Sequence, residues 1–140
     1  MSGPSRASTC AADGCAGDGF QERLLAAHWD RCAPWLQAAL DRSGNTHALE
    51  DVRAAVRAGA ATFWPGRACC LVTEVVQYPR KRVAVLWLAG GDLRELCAMA
   101  GFVRRWAKDN GCDRMQITGR PGWQRVLGTR AAGTILTEEL

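Results

Sequence analysis

Tyrosine, histidine and long apolar runs are scarce in this 140-residue chain. It has one Tyr and two His, and neither His28 nor His47 has a partner at the spacing of a triad or a metal site. No apolar run approaches the ~18 residues that a membrane-spanning helix requires. Arg6 is not followed by the apolar segment of a secretory signal. These features predict a cytoplasmic protein and argue against a membrane partner.

Cysteine, in contrast, is frequent, with seven residues. The count is odd, and the adjacent Cys69 and Cys70 would point to opposite faces of a strand. We therefore expect buried, reduced thiols rather than a disulfide framework. Cys10 and Cys15 have the spacing of half a zinc site, but no second close pair follows, and no metal site is predicted.

Length and composition favour one globular domain. Hydrophobic residues make up 48% of the chain. Residues 1–19 are small, polar and glycine-rich, so they cannot bury enough apolar surface to offset the entropy of ordering. We expect a flexible tail over 1–19 and a single domain over 20–140.

Apolar periodicity predicts the first elements of that domain. Helical spacing covers 20–42, where Pro34 is expected to divide the helix into 20–31 and 34–42. A short helix ending at Gly59 follows. Three β-like runs joined by short turns then predict an antiparallel meander: 61–64, 68–78 and 82–89.

The second half predicts a β-α-β crossover. Asp92 is a favoured N-cap for a long helix, and Glu95 completes a pattern typical of a capping box. The helix is expected to end at Asn110-Gly111, and 114–118 to form a parallel strand after it. A turn, a short helix and a last strand are predicted over 119–122, 123–127 and 134–140. The predicted fold class is α+β with one mixed sheet.

Glu74 is an unusual residue in the middle of the second predicted strand. If its face of the sheet is buried, its pKa would rise, which would suit a general base. The alternatives are a sheet face open to solvent, or pairing with a neighbouring arginine. Glu74 is the one catalytic candidate.

Positive charge is concentrated in the second half of the chain. Residues 1–79 contain 7 Lys/Arg and 8 Asp/Glu, whereas residues 80–130 contain 11 and 4. Such a region can bind nucleic acid, or it can be a solvated helix face with a basic turn. Arg120 and Arg125 can also pair with acidic groups that fix their own turn. The candidate contacts are Arg80, Lys81, Arg82, Arg104, Arg105, Lys108, Arg120 and Arg125.

The element order resembles the GNAT fold of N-acetyltransferases over residues 46–137. Several segments are similar to small GNAT-like proteins of bacteriophages and prophages: FWPG, LVTEVVQYPR, VLWLAGG and WAKDNGCDRMQITGRPGWQRVL. The resemblance implies other phage proteins as partners, and a location in the host cytoplasm or the virion.

The resemblance also implies where a cofactor would bind. Acetyltransferases of this fold hold the CoA pyrophosphate on an R/Q-x-x-G-x-G/A loop that leads into the long helix. The matching loop is shorter here, and Asp92 places a negative charge where the phosphate would lie. The tyrosine acid of the last helix is missing, and Gly133-Thr134 replaces the usual Gly-Phe. The cofactor residues implied by this match are Leu88, Ala89, Gly90 and Gly91.

These departures favour a non-catalytic, phage-derived GNAT-like protein without a cofactor, which acts by binding as a virion-associated or assembly component. The first alternative is an N-acetyltransferase that uses acetyl-CoA, with Glu74 as its base. The second is a nucleic-acid-binding accessory protein.

Overall fold

The computed structural model describes residues 5–6, 18–117, 133 and 136–140. The predicted turn at 119–122 and the short helix at 123–127 lie outside these residues. The elements are β1 (Ser5–Arg6), α1 (Asp18–Arg42), α2 (Leu49–Arg57), β2 (Thr62–Pro65), β3 (Cys69–Gln77), β4 (Arg82–Gly91), α3 (Leu93–Asp109) and β5 (Arg114–Ile117).

The described strands form one mixed sheet around β3. β3 pairs antiparallel with β2 on one side and with β4 on the other, and β5 lies parallel to β4. The two residues of β1 pair with the end of β3. The α+β class, the antiparallel meander and the parallel β4-α3-β5 crossover are therefore confirmed.

Helices cover both faces of the sheet, and this burial explains why the strand predicted over 82–89 is nearly all apolar. The core under α1 and α2 includes Cys70, and the core under α3 includes Cys69. The adjacent cysteines thus point to opposite faces, as predicted, and every residue of β3 except Gln77 is buried.

One extra residue in β4 shifts its register against β3. Val72 pairs with Leu88, but Thr73 pairs with Leu86, so Trp87 has no partner in the ladder. Residues two apart in a regular strand point to the same face. Because of this bulge, Leu86 instead packs in the α3 core and Leu88 in the α1 core. The Trp87 ring meets the ring of His47 edge-on, with centroids 4.8 Å apart, which gives His47 a structural role.

α1 is one helix of 25 residues, so the predicted break at Pro34 is wrong. Pro34 has no amide hydrogen for the carbonyl of Asp30. Both residues lie on the exposed side of α1, where water can hydrate that carbonyl. On the opposite side, Cys32 and Leu36 are fully buried and hold the helix against the sheet.

The ends of the other helices follow their sequence signals. α3 begins after Asp92 and ends at Asp109, and its C-cap Asn110 is followed by Gly111, which has φ +76°. The amides of Gly111 and Cys112 donate to the carbonyls of Lys108 and Ala107, which is a Schellman arrangement. This turn directs the chain from α3 into β5.

The predicted last strand is wrong for its described part. Residues 136–140 have no regular structure, and the side chains of Leu136 and Leu140 are exposed. Two carboxylates, Glu138 and Glu139, separate these leucines, so the segment offers no apolar face to a sheet.

Candidate functional site

The candidate cofactor residues lie in the last part of β4, where the backbone is already paired. Leu88, Ala89, Gly90 and Gly91 pair with Val72, Leu71, Cys70 and Cys69 of β3. The segment is therefore a strand that runs directly into α3, and not a loop that could wrap around a phosphate.

Both glycines are positions of close backbone approach. A Cβ atom on Gly90 would lie 2.8 Å from the Cβ of Trp35, and one on Gly91 would lie 2.3 Å from the carbonyl oxygen of Ala68. Gly91 also has φ +104°. α1 and the β2–β3 turn pack so closely against β4 that neither position has room for a side chain. This packing explains why both residues are glycine.

Asp92 closes the amino end of α3. Its carboxylate accepts a hydrogen bond from the amide of Glu95 at 2.9 Å, as predicted for an N-cap. Its own amide donates to the carbonyl of Ala68 at 2.8 Å. The side chain thus occupies one amide that an anion at this helix end would use.

Glu95 departs from the predicted capping box. Its carboxylate accepts the backbone amides of Arg67 and Ala68, at 2.8 Å and 2.7 Å, and does not receive the amide of Asp92. These two hydrogen bonds, first that of Ala68, hold the pKa of Glu95 below its ordinary value. Glu95 therefore ties α3 to the β2–β3 turn.

A shallow depression surrounds this contact. Its lining residues are His28, Arg31, Pro65, Gly66, Arg67 and Glu95. Arg31 donates to the carbonyl of Gly66 at 2.6 Å, and its guanidinium lies 2.9 Å from Nδ1 of His28. His28 thus helps to hold Arg31 against the turn.

The two adjacent thiols at the start of β3, Cys69 and Cys70, have raised pKa values and are therefore protonated at neutral pH. Burial, reinforced by the negative charge of Glu95, raises the pKa of Cys69 to about 12. The hydrogen bond with Cys32, together with burial, raises the pKa of Cys70. Neither Cys69 nor Cys70 is therefore suited to act as a nucleophile.

Glu74 is buried, with 7% of its surface exposed, and it takes part in a polar or electrostatic interaction. It pairs with Val85, which is six residues from Gly91, or about 20 Å along β4. The catalytic candidate and the glycine pair thus lie well apart on neighbouring strands.

The candidate nucleic-acid contacts within the described residues lie at the other end of the sheet. α3 returns antiparallel to β4, so its carboxyl end lies beside the β3–β4 hairpin. Arg82 Nε donates to the carbonyl of Asn110 at 2.8 Å, and the amide of Asp113 donates to the carbonyl of Arg82 at 2.7 Å. We call residues 78–82 and 104–114 the basic end. Arg82 joins its two parts, while Arg120 and Arg125 lie outside the described residues.

Two features of these sites were missed in the sequence. Glu95 was assigned to the local capping box, because nothing in the chain indicates that a turn 27 residues earlier lies beside it. No local sequence pattern distinguishes Arg31 from the other charged residues of α1. The one sequence signal was Pro65-Gly66, because a glycine in a turn allows other groups to approach the backbone closely.

Comparison with protein-family models, with curated proteins and with solved structures found no match for this chain. Within the described residues, no three His, Cys, Asp or Glu side chains are grouped so that they could hold a metal ion. None of the described helices is long and apolar enough to cross a membrane. Cys10 and Cys15, the half-site considered for zinc, lie outside the described residues.

Proposed function

We propose that this chain is a GNAT-like protein of phage origin that acts by binding, without acyl-CoA chemistry, as a virion-associated or assembly component. One observation carries the proposal: the amino end of α3 is occupied by the chain's own carboxylates. Asp92 accepts an amide of the first turn, and Glu95 accepts the two amides of the adjacent β2–β3 turn. A pyrophosphate at this position would meet both negative charges.

Calorimetric titration with acetyl-CoA tests this proposal. We expect no heat of binding at millimolar ligand. The Asp92→Ser variant is informative, because serine keeps a side-chain cap while it removes the charge. If this variant binds acetyl-CoA and the wild type does not, the charge of Asp92 is the obstacle. Binding by the wild type would overturn the proposal and favour the acetyltransferase alternative, with Glu74 as its candidate base.

The virion part of the proposal has a separate test. The protein should be found by mass spectrometry in purified particles of the phage that encodes it, at a constant ratio to the other virion proteins. Its absence from the particles, together with its presence in infected cells, would contradict a virion role.

A further inference from the structure

The basic end has an excess of exposed positive charge. Its two segments contain seven Lys/Arg against two Asp. Arg80 and Lys81 lie at the tip of the β3–β4 hairpin, and Arg104, Arg105 and Lys108 lie on the last two turns of α3. All five are exposed.

Within the part of the chain that the structure describes, these five cations make no ion pair. An ion pair that is found there joins Arg57 to Glu22, on other helices. Arg82 differs from the five because it bonds to Asn110 and takes part in further interactions. Asp109 and Asp113 offset only part of this charge, so the cations repel one another, and a polyanion bound across both elements would relieve that repulsion.

Two exposed aromatic rings accompany these cations. Tyr78 begins the hairpin turn, where its amide donates to the carbonyl of Lys81 at 2.8 Å, and its surface is 38% exposed. Phe102 lies one turn before Arg105 and Trp106 on α3 and is 70% exposed. Cations that contact phosphates, beside rings that can stack on bases, are the combination that binds single-stranded nucleic acid.

An acidic protein fits this end less well. Protein interfaces have an apolar centre from which charged residues are depleted. Here the exposed residues that follow the two rings in the chain are cationic: Arg80 and Lys81 follow Tyr78, and Arg104 and Arg105 follow Phe102.

We propose that the basic end, together with Phe102 just before it on α3, binds single-stranded nucleic acid, with the cations on the phosphates and with Tyr78 and Phe102 against the bases. This inference rests on the proposed function only in that the chain acts by binding. The acetyl-CoA titration tests the amino end of α3, whereas this inference concerns its carboxyl end. Each of the two proposals can therefore be contradicted while the other holds.

Fluorescence anisotropy with a labelled oligo-dT of about 20 nucleotides is the test, repeated over a range of salt concentrations. Each phosphate neutralised contributes about −0.7 to the slope of log K against log salt for a single strand. Contacts by four or five cations therefore predict a slope of about −3. The Arg80→Gln/Lys81→Gln and Arg104→Gln/Arg105→Gln variants should each bind about tenfold more weakly at low salt and reduce the magnitude of the slope by about 1.4.

A matched control is available at the amino end of α3. Arg67→Gln/Arg94→Gln removes the same charge from two exposed positions and should change affinity less than threefold. Circular dichroism establishes that each variant is folded. Tyr78→Ala and Phe102→Ala should weaken binding with little change in the salt slope, because stacking releases no counterions.

Several outcomes would overturn the proposal. A salt-independent affinity, or an equal loss in the control, would show that the basic end is not a specific polyanion site. Equal affinity for labelled poly-glutamate would indicate an acidic protein instead. Tighter binding to duplex DNA, with no effect of the two aromatic substitutions, would exclude the single-strand form.

Discussion

At the residue scale, Glu95 determines how the β2–β3 turn meets α3. Its carboxylate accepts two successive turn amides, while the thiol of Cys69 lies beneath it as a further donor. A neutral amide side chain at this position would keep the shape but lose the negative charge. The two amides would then be held by weaker hydrogen bonds.

Glu95→Gln should lower the urea midpoint of unfolding at pH 7. Because the pKa of Glu95 is lowered in the folded state, its contribution is present above the ordinary value of 4.5 and is lost as the pH falls through the folded value. The wild type and Glu95→Gln should therefore converge in stability as the pH falls below 4.5. Glu138→Gln removes the same charge from an exposed residue outside any helix or strand and is the control. Equal midpoints of the two variants at pH 7 would contradict the role of Glu95.

Substitution by alanine should change the stability of the fold in opposite directions at Gly91 and at Gly101. Gly91→Ala should destabilise the fold by roughly 2–4 kcal/mol, because it combines a positive φ with a clash against a backbone oxygen. Gly101 is exposed in the interior of α3 with no atom near a new Cβ, so Gly101→Ala should stabilise by about 0.5–1 kcal/mol. Denaturant unfolding measures both. A neutral Gly91→Ala would show that the turn does not pack against β4 as described.

The thiols allow a separate test at this scale. Cys69, with a pKa of about 12, and the fully buried Cys32 and Cys70 should resist iodoacetamide at pH 8 in the native protein. Cys97, half-buried on α3, provides an internal comparison. Mass-spectrometric mapping should find the three buried sites labelled only in urea. Native labelling of Cys69 at the rate of Cys97 would contradict its burial beneath the turn.

At the element scale, α1 shows how tertiary packing overrides a local signal. Pro34 lies on the exposed side, while the buried side of the same turns packs against the sheet. Burial of several apolar side chains, at about 1.5–3 kcal/mol each, outweighs one lost hydrogen bond. The helix therefore continues through a residue that the sequence alone marks as a break.

Pro34→Ala should stabilise the protein by about 1–3 kcal/mol, because it restores the amide partner of the Asp30 carbonyl in a solvent-exposed helix interior. Thermal and urea unfolding measure this change. A destabilised variant would show that α1 needs a bend at this position in order to pack.

The elements also show how far the sequence could predict the fold and the site. The Asp92 cap, the Gly111 helix end and the antiparallel meander were predicted, because each depends on residues that are close in the chain. The Trp87 bulge and the partners of Glu95 were not, because they depend on strand register and on contacts between distant segments. The local elements that carry the candidate site were thus predictable, and the contacts that join those elements to one another were not.

At the scale of the whole molecule, the two ends of the sheet differ in character. At one end, β4 runs into α3, and the carboxylates of Asp92 and Glu95 are satisfied by backbone amides. At the other, the hairpin and the carboxyl end of α3 present exposed cations. The first end holds the fold together, and the second is where we propose that nucleic acid binds.

Amide chemical shifts measured by NMR, with acetyl-CoA and then with an oligo-dT, test this division most directly. Acetyl-CoA should leave the amides of 90–95 and of Arg67 and Ala68 unchanged at millimolar concentration. Oligo-dT should shift amides within 78–82 and 104–114 at low salt, and the shifts should reverse as salt is added. Saturable shifts of 90–95 with acetyl-CoA, with the basic end unaffected by oligo-dT, would contradict the central claim.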